Sequence, residues 1–190
     1  MRRWTTLTAA LAVTMLLAGA PAFAQNDDDE YDDDRDDFAL AVGVGLVEPA
    51  DDVENYLMAA LRFRAGRGED RGYRQSGGID GYLEPEVGYW EDGDSGASDL
   101  LAGVNLVGVL PLGAVDSFFG VGAGIHWIDA ELLGVPGDDT ETKFGANAQF
   151  GIDLYITESW SAFGAGRFDL VQDAVDDIQG KIYLGLRGRW

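Results

Sequence analysis

The 190-residue chain has no cysteine, so it can form no disulfide framework, thiolate metal site or cysteine nucleophile. Positive charge is also scarce: 13 Lys and Arg stand against 34 Asp and Glu, a formal net charge of −21. Proteins that neutralise phosphate backbones need clustered Lys and Arg, so nucleic acid is excluded as a partner. There is one histidine, and its surroundings show no metal-ligand or cofactor pattern, so no metal and no cofactor are expected. No apolar run reaches the roughly 20 residues that a membrane-spanning helix needs. Glycine, by contrast, is abundant at 27 residues against 5 prolines, so many small side chains are required in some ordered structure.

Residues 1–24 open with Arg2 and Arg3, continue through an apolar stretch and end in Ala22-Phe23-Ala24. That three-part layout is a secretory signal peptide cleaved before Gln25, and the absence of a following cysteine excludes a lipoprotein anchor. Residues 25–37 carry nine acids and a single arginine, Arg35. So dense a run of like charge offers no apolar surface to bury and reads as a disordered spacer. It lacks the residue pattern of a helix-loop-helix calcium loop.

From residue 38 onward apolar residues recur with period two, the signature of strands with one face against an apolar medium. Eight such segments follow: 38–47, 56–64, 79–90, 100–110, 118–128, 144–156, 160–170 and 178–190. The first sets Phe38, Leu40, Val42, Val44 and Leu46 against Ala39, Ala41, Gly43 and Gly45. In the seventh, Gly164 and Gly166 fall on the bulky face and blur the pattern. The expected fold is all-β: an eight-stranded antiparallel up-and-down barrel over residues 38–190.

Alternation alone does not say which face points inward. A soluble barrel would bury its bulky face around a ligand and expose a face rich in Lys, Thr and Glu, whereas here the second face is mostly Gly and Ala with Arg, Glu, Asp and Asn interspersed. Small residues around a few charges suit the narrow lumen of an eight-stranded barrel, leaving the bulky face to lipid. Aromatic residues give a second test, because they gather where hydrocarbon meets headgroups. If the first strand runs outward, Phe38, Phe63, Phe119, Trp160 and Trp190 fall near the periplasmic rim and Tyr89, Trp127, Phe144 and Phe168 near the outer rim. The connections 111–116 and 157–159 are then short periplasmic turns, and 65–78 is a longer one. The outer loops would be 48–55, 91–99, 129–143 and 171–178.

The segments Gly81-Tyr82-Leu83-Glu84-Pro85-Glu86-Val87-Gly88-Tyr89-Trp90, Gly103-Val104-Asn105-Leu106-Val107-Gly108 and Gly120-Val121-Gly122-Ala123-Gly124 resemble small outer membrane β-barrel, or porin family, proteins. The resemblance covers about residues 38–190. It implies export to the outer membrane of a Gram-negative cell as a monomer, with outer membrane lipid, lipopolysaccharide and the barrel assembly machinery as partners. The ending Ile182, Leu184, Leu186 and Trp190 is similar to the family's assembly signal, with Trp in place of the usual terminal Phe.

No catalytic site is expected. His126 lies on a lumen-facing position with no serine nearby to activate, so a lumen hydrogen bond is the simpler role. The glycines at 120, 122 and 124 lie inside a strand, not between strand and helix, and read as space-making rather than phosphate-binding. The expected constellation is a structural lumen network: Arg62 and Arg64 facing Glu84 and Glu86 on the next strand, with Arg167, Asp169, Lys181 and Arg187 around the barrel. Charges away from bulk water must be paired.

Acids also cluster in the expected outer loops, among them Glu48, Asp51, Asp52, Glu54, Glu91, Asp92, Asp94, Asp99, Asp129, Glu131, Asp138, Asp139 and Glu141, with Asp173, Asp176 and Asp177 in the last. The leading function is an outer membrane barrel of structural or interaction type with at most a narrow ion path. A small-solute porin-like channel, an extracellular ligand- or cation-binding module using the acidic loops, and a soluble periplasmic ligand-binding barrel are the alternatives.

Overall fold

The computed structural model describes residues 38–48, 54–65, 79–91, 97–112, 115–129, 140–172 and 178–190. The leader and the acidic segment expected at 1–24 and 25–37 lie outside them. Eight strands are formed: β1 (Phe38–Glu48), β2 (Glu54–Arg64), β3 (Asp80–Glu91), β4 (Ser98–Pro111), β5 (Val115–Asp129), β6 (Thr140–Tyr155), β7 (Trp160–Val171) and β8 (Ile178–Arg189). Each pairs antiparallel with its sequence neighbour, and β8 pairs with β1 to close the barrel. Closure leaves no strand edge with unpaired backbone groups, which a bilayer does not tolerate.

The strands of β5 and β6 run further than the alternation suggested. Ile128 pairs with Glu141 and His126 with Lys143, so the connection expected at 129–143 is shorter. Glu48, Glu54, Glu91, Asp99, Asp129 and Glu141, read from sequence as loop acids, are strand residues. Acidic side chains resemble loop composition, but the backbone ladder continues wherever both strands still have partners. The remaining loop acids lie outside the described residues.

The barrel is inside-out relative to a soluble one. Ile182 is 74% exposed and Leu106 62%, whereas Arg167 and Lys181, on the other face, are 1% and 2% exposed. A surface of Val44, Leu46, Val121, Phe150, Leu184 and their neighbours in contact with water would be strongly unfavourable, at about 25 cal/mol per Å² of apolar area. Its natural medium is hydrocarbon. At the end where the chain enters and leaves the barrel, Phe38 lies 5.3 Å from Phe63 and 6.0 Å from Trp190, and Trp190 lies 6.1 Å from Trp160, ring centre to ring centre. These rings form a continuous ledge around β2, β1, β8 and β7, the placement expected of an interfacial girdle.

The glycines explain how so narrow a lumen accepts large side chains. A methyl group at Gly122 would lie 2.0 Å from Asn105 Oδ1, at Gly88 2.2 Å from the Tyr56 hydroxyl, and at Gly145 2.6 Å from His126 Nε2. At Gly151 it would meet Phe118, at Gly185 Phe163, and at Gly45 Tyr183. In each of these cases the side chain comes from the preceding strand around the ring, including the step from β8 to β1. These six lumen side chains therefore lean in one rotational sense, each toward a recess on the following strand. On the lipid face Gly166 is a similar recess for Phe150, whose ring stacks on Phe168 at 6.4 Å, so one of the two glycines that blurred β7 is a packing position, while Gly164 has open space above it.

The ladders run without a break except between β2 and β3. There the pairing of Ala60 with Glu86 is followed next by Phe63 with Leu83, skipping the positions opposite Glu84 and Pro85. Pro85 has no N–H to donate, which is the local cause.

Candidate functional site

The candidate site is the lumen itself, where charged side chains from seven of the strands meet. Nearest the chain-terminal end, Asp153 on β6 is fully buried and surrounded by guanidinium groups. Arg187 donates to it in a short contact, Arg189 Nη2 lies at 3.5 Å, and Arg62 Nη1 at 3.7 Å. Ser161 Oγ donates to the same carboxylate at 3.4 Å. Arg189 also approaches Asp116 at 3.8 Å and stacks over Tyr155 at 4.1 Å from the ring centre. Tyr155 in turn donates a short hydrogen bond to Asp116.

One layer further in, Glu84 receives Arg62 Nε at 2.7 Å and Nη2 at 2.6 Å. Gln149 reaches from β6 to donate to Glu84 Oε1 at 2.9 Å, and Tyr183 donates to Gln149 at 3.0 Å. In the middle of the bore Arg167 binds Glu86 in a short ion pair and Asp169 at 2.8 Å, and Lys181 completes the group on Asp169 at 2.8 Å. Toward the far end His126 Nδ1 lies 2.8 Å from Asp99 Oδ2.

Several of these contacts cross the bore. Arg167 on β7 and Glu86 on β3 stand four strands apart in a ring of eight, as do Arg62 on β2 and Asp153 on β6. They therefore link opposite walls. Ionised groups this deeply buried need charge partners and hydrogen bonds to offset desolvation; each has a charge partner here, while Glu86 Oε2, Arg187 Nε and Arg189 Nη1 make no hydrogen bond among the described residues.

Of the residues singled out from sequence, Arg62 meets Glu84, and Arg167 meets Asp169. Arg187 lies with Asp153 and Glu84. Arg64 does not face Glu86: the register sets Glu86 opposite Ala60 and Arg64 opposite Tyr82. The Arg64 guanidinium lies 6.0 Å from the Tyr82 ring centre, and Glu86 pairs with Arg167 instead. Ile182, Leu184 and Leu186 face outward on β8, with Trp190 in the aromatic ledge just beyond it. Asp99, Asp116, Asp153, Gln149 and Arg189 were not placed in the network from sequence. The lumen-facing parity of Asp153 and Arg189 was visible, but their partners depend on how the sheet closes. Among the described residues no group of three or more His, Cys, Asp or Glu is arranged to hold a metal ion.

A closed antiparallel barrel with an apolar exterior and an ion-paired interior defines the class: a small transmembrane β-barrel. No family model and no curated protein matches the sequence. Solved structures do match the fold. Neisserial surface protein A is 11% identical, with 80% of this chain and 96% of that one covered at a TM-score of 0.53. Outer membrane protein OprG from Pseudomonas aeruginosa is 12% identical over 82% and 96% of the two chains, at 0.52. The N-terminal β-barrel domain of OprF from Pseudomonas aeruginosa is 11% identical over 80% and 97%, at 0.50. The shared feature is the eight-stranded outer membrane barrel fold.

Proposed function

We propose that the protein is an outer membrane barrel of structural or interaction type whose lumen is closed by its own side chains. The carrying observation is the pair of cross-bore links, Arg167 to Glu86 and Arg62 to Asp153. A solute-conducting pore needs a wetted path, and here long side chains from opposite walls meet in it. The apolar exterior and aromatic ledge support residence in a bilayer, with outer membrane lipid and lipopolysaccharide as surroundings and the barrel assembly machinery acting through the terminal strand and Trp190. The protein is exported through a cleaved leader and works as a monomer.

The same reading assigns no catalysis. His126 faces the lumen, is buried, and takes Asp99 as its partner, with no hydroxyl bonded to it among the described residues. Because one fold hosts many activities, the barrel by itself decides nothing here, and the support is the environment of His126. A narrow, gated ion path is the second reading, favoured by the exchangeable carboxylate partners of Arg167, which holds Glu86 and Asp169 together.

Planar-bilayer recording separates the two. A closed structural barrel gives no discrete openings in the native form, and Glu86→Ala, by removing one side of the cross-bore link, raises conductance. Native openings of stable size would establish the ion path, and unchanged silence in Glu86→Ala would show that this link does not close the bore.

A further inference from the structure

In the middle of the lumen, Asn105 on β4 and Asn147 on β6 both pair in register with Gly122 on β5. They therefore flank one residue that has no side chain. Asn105 is completely buried, and neither its Oδ1 nor its Nδ2 has a hydrogen-bond partner among the described residues. Its amide oxygen lies directly over Gly122. Asn147, also more than nine-tenths buried, has an unpartnered Oδ1. In the next ladder row Glu86 leans over Gly103, giving one oxygen to Arg167 and leaving Oε2 unpartnered.

Leaving a buried polar atom without a partner costs about 1–3 kcal/mol, more for a charged group. Three oxygens from three strands are left this way, on ladder rows that pass through Gly103 and Gly122, and oxygens of amide and carboxylate type are the ligands hard cations take. Buried Lys and Arg do not outnumber the buried carboxylates: Glu84, Glu86, Asp99, Asp116, Asp153 and Asp169 face Arg62, Arg167, Lys181, Arg187 and Arg189, with His126 on Asp99. A divalent ion would require more carboxylates than the single one present.

We propose that the lumen binds one monovalent metal cation, sodium or potassium, between Asn105, Asn147 and Glu86. The ion supplies the partners the two amide oxygens lack and bridges β3, β4 and β6. It acts as a structural ion, and it can be present whether or not the bore conducts.

The test is the midpoint of the heat-induced mobility shift of the refolded full barrel at constant ionic strength in sodium, potassium or N-methyl-D-glucamine chloride. The site raises the native midpoint by a few degrees in sodium or potassium over the organic cation, which is too large to fit. Asn105→Leu and Asn147→Leu, which keep side-chain size and remove the oxygen, abolish that difference. Direct binding is read in parallel from sodium-23 relaxation of the refolded protein. Equal native midpoints in all three salts without sodium-23 broadening would overturn the proposal. So would a difference that persists in both variants, since the ions would then be bound at the acidic surface. Conductance is not among the readouts, so failure here is distinct from failure of the closed-bore reading.

Discussion

Arg62 and Glu84 join β2 to β3 at the place where the backbone ladder between those strands is interrupted. The guanidinium meets the carboxylate at 2.7 Å through Nε and 2.6 Å through Nη2, opposite the stretch where Pro85 has no N–H to offer. A side-chain fork thus spans a gap that backbone hydrogen bonds leave open. Elsewhere the described ladders are continuous, and none needs such a bridge.

Removing the bridge should therefore cost more than removing an ordinary ion pair. Arg62→Ala strands Glu84 in the lumen with Arg187 at 3.8 Å as its remaining cation, and truncating one partner of a buried pair costs about 3–5 kcal/mol. Urea unfolding in lipid vesicles, followed by tryptophan fluorescence, measures the loss. Pro85→Ala should act in the opposite direction by restoring a donor, gaining about 1 kcal/mol.

The glycine recesses give a graded set of substitutions. Gly45→Ala places a methyl 2.2 Å from the Ile182 carbonyl, a backbone atom that cannot step aside, and should destabilise by about 1–3 kcal/mol. Gly164→Ala adds a methyl on the lipid face with nothing within 4 Å, and should lie within about 0.5 kcal/mol of the native protein. The same unfolding assay ranks them, and a reversed order would refute the assignment of the faces.

Lipid contact can be read ring by ring. Trp127, Trp160 and Trp190 are exposed on the outside of the barrel, whereas Trp90 is 1% exposed and faces the lumen. In single-tryptophan variants reconstituted in brominated lipid, the first three should be quenched and Trp90 should keep its emission.

Trp190 should matter for assembly more than its single ring suggests. It contacts Phe38 and Trp160, and its backbone N–H donates to the Phe38 carbonyl at 2.9 Å while its carbonyl accepts from the Phe38 N–H at 3.2 Å. Trp190→Phe should keep most of the heat-modifiable form in a membrane fraction, and deletion of Trp190 should lower it several-fold.

How much of this was legible in the sequence depended on range. Strand positions and faces follow from period-two alternation, a local property, so Ile182, Leu184 and Leu186 could be set outside and Arg187 inside without knowing the fold. The pairing of Arg62 with Glu84 was also within reach, because adjacent strands joined by one connection set their own register. The partner of Glu86 was not, since Arg167 lies 81 residues away and reaches it only across a closed bore. Asp99 was misread for a different reason: acids at strand ends look like loop residues until a buried partner such as His126 is in place.

The lean of six lumen side chains into glycines of the following strand makes much of the interior a code. Tyr56, Asn105, Phe118, His126 and Phe163 are keys to glycine locks on the next strand, and the step from Tyr183 to Gly45 obeys the same rule across the closing seam. A two-residue slip between any of these neighbours would keep hydrophobic faces outward yet set the key against the wrong lock, so register is policed from inside. With Phe38 and Trp190 already hydrogen-bonded, a circular permutant joined there and opened in an outer loop would retain every key and lock.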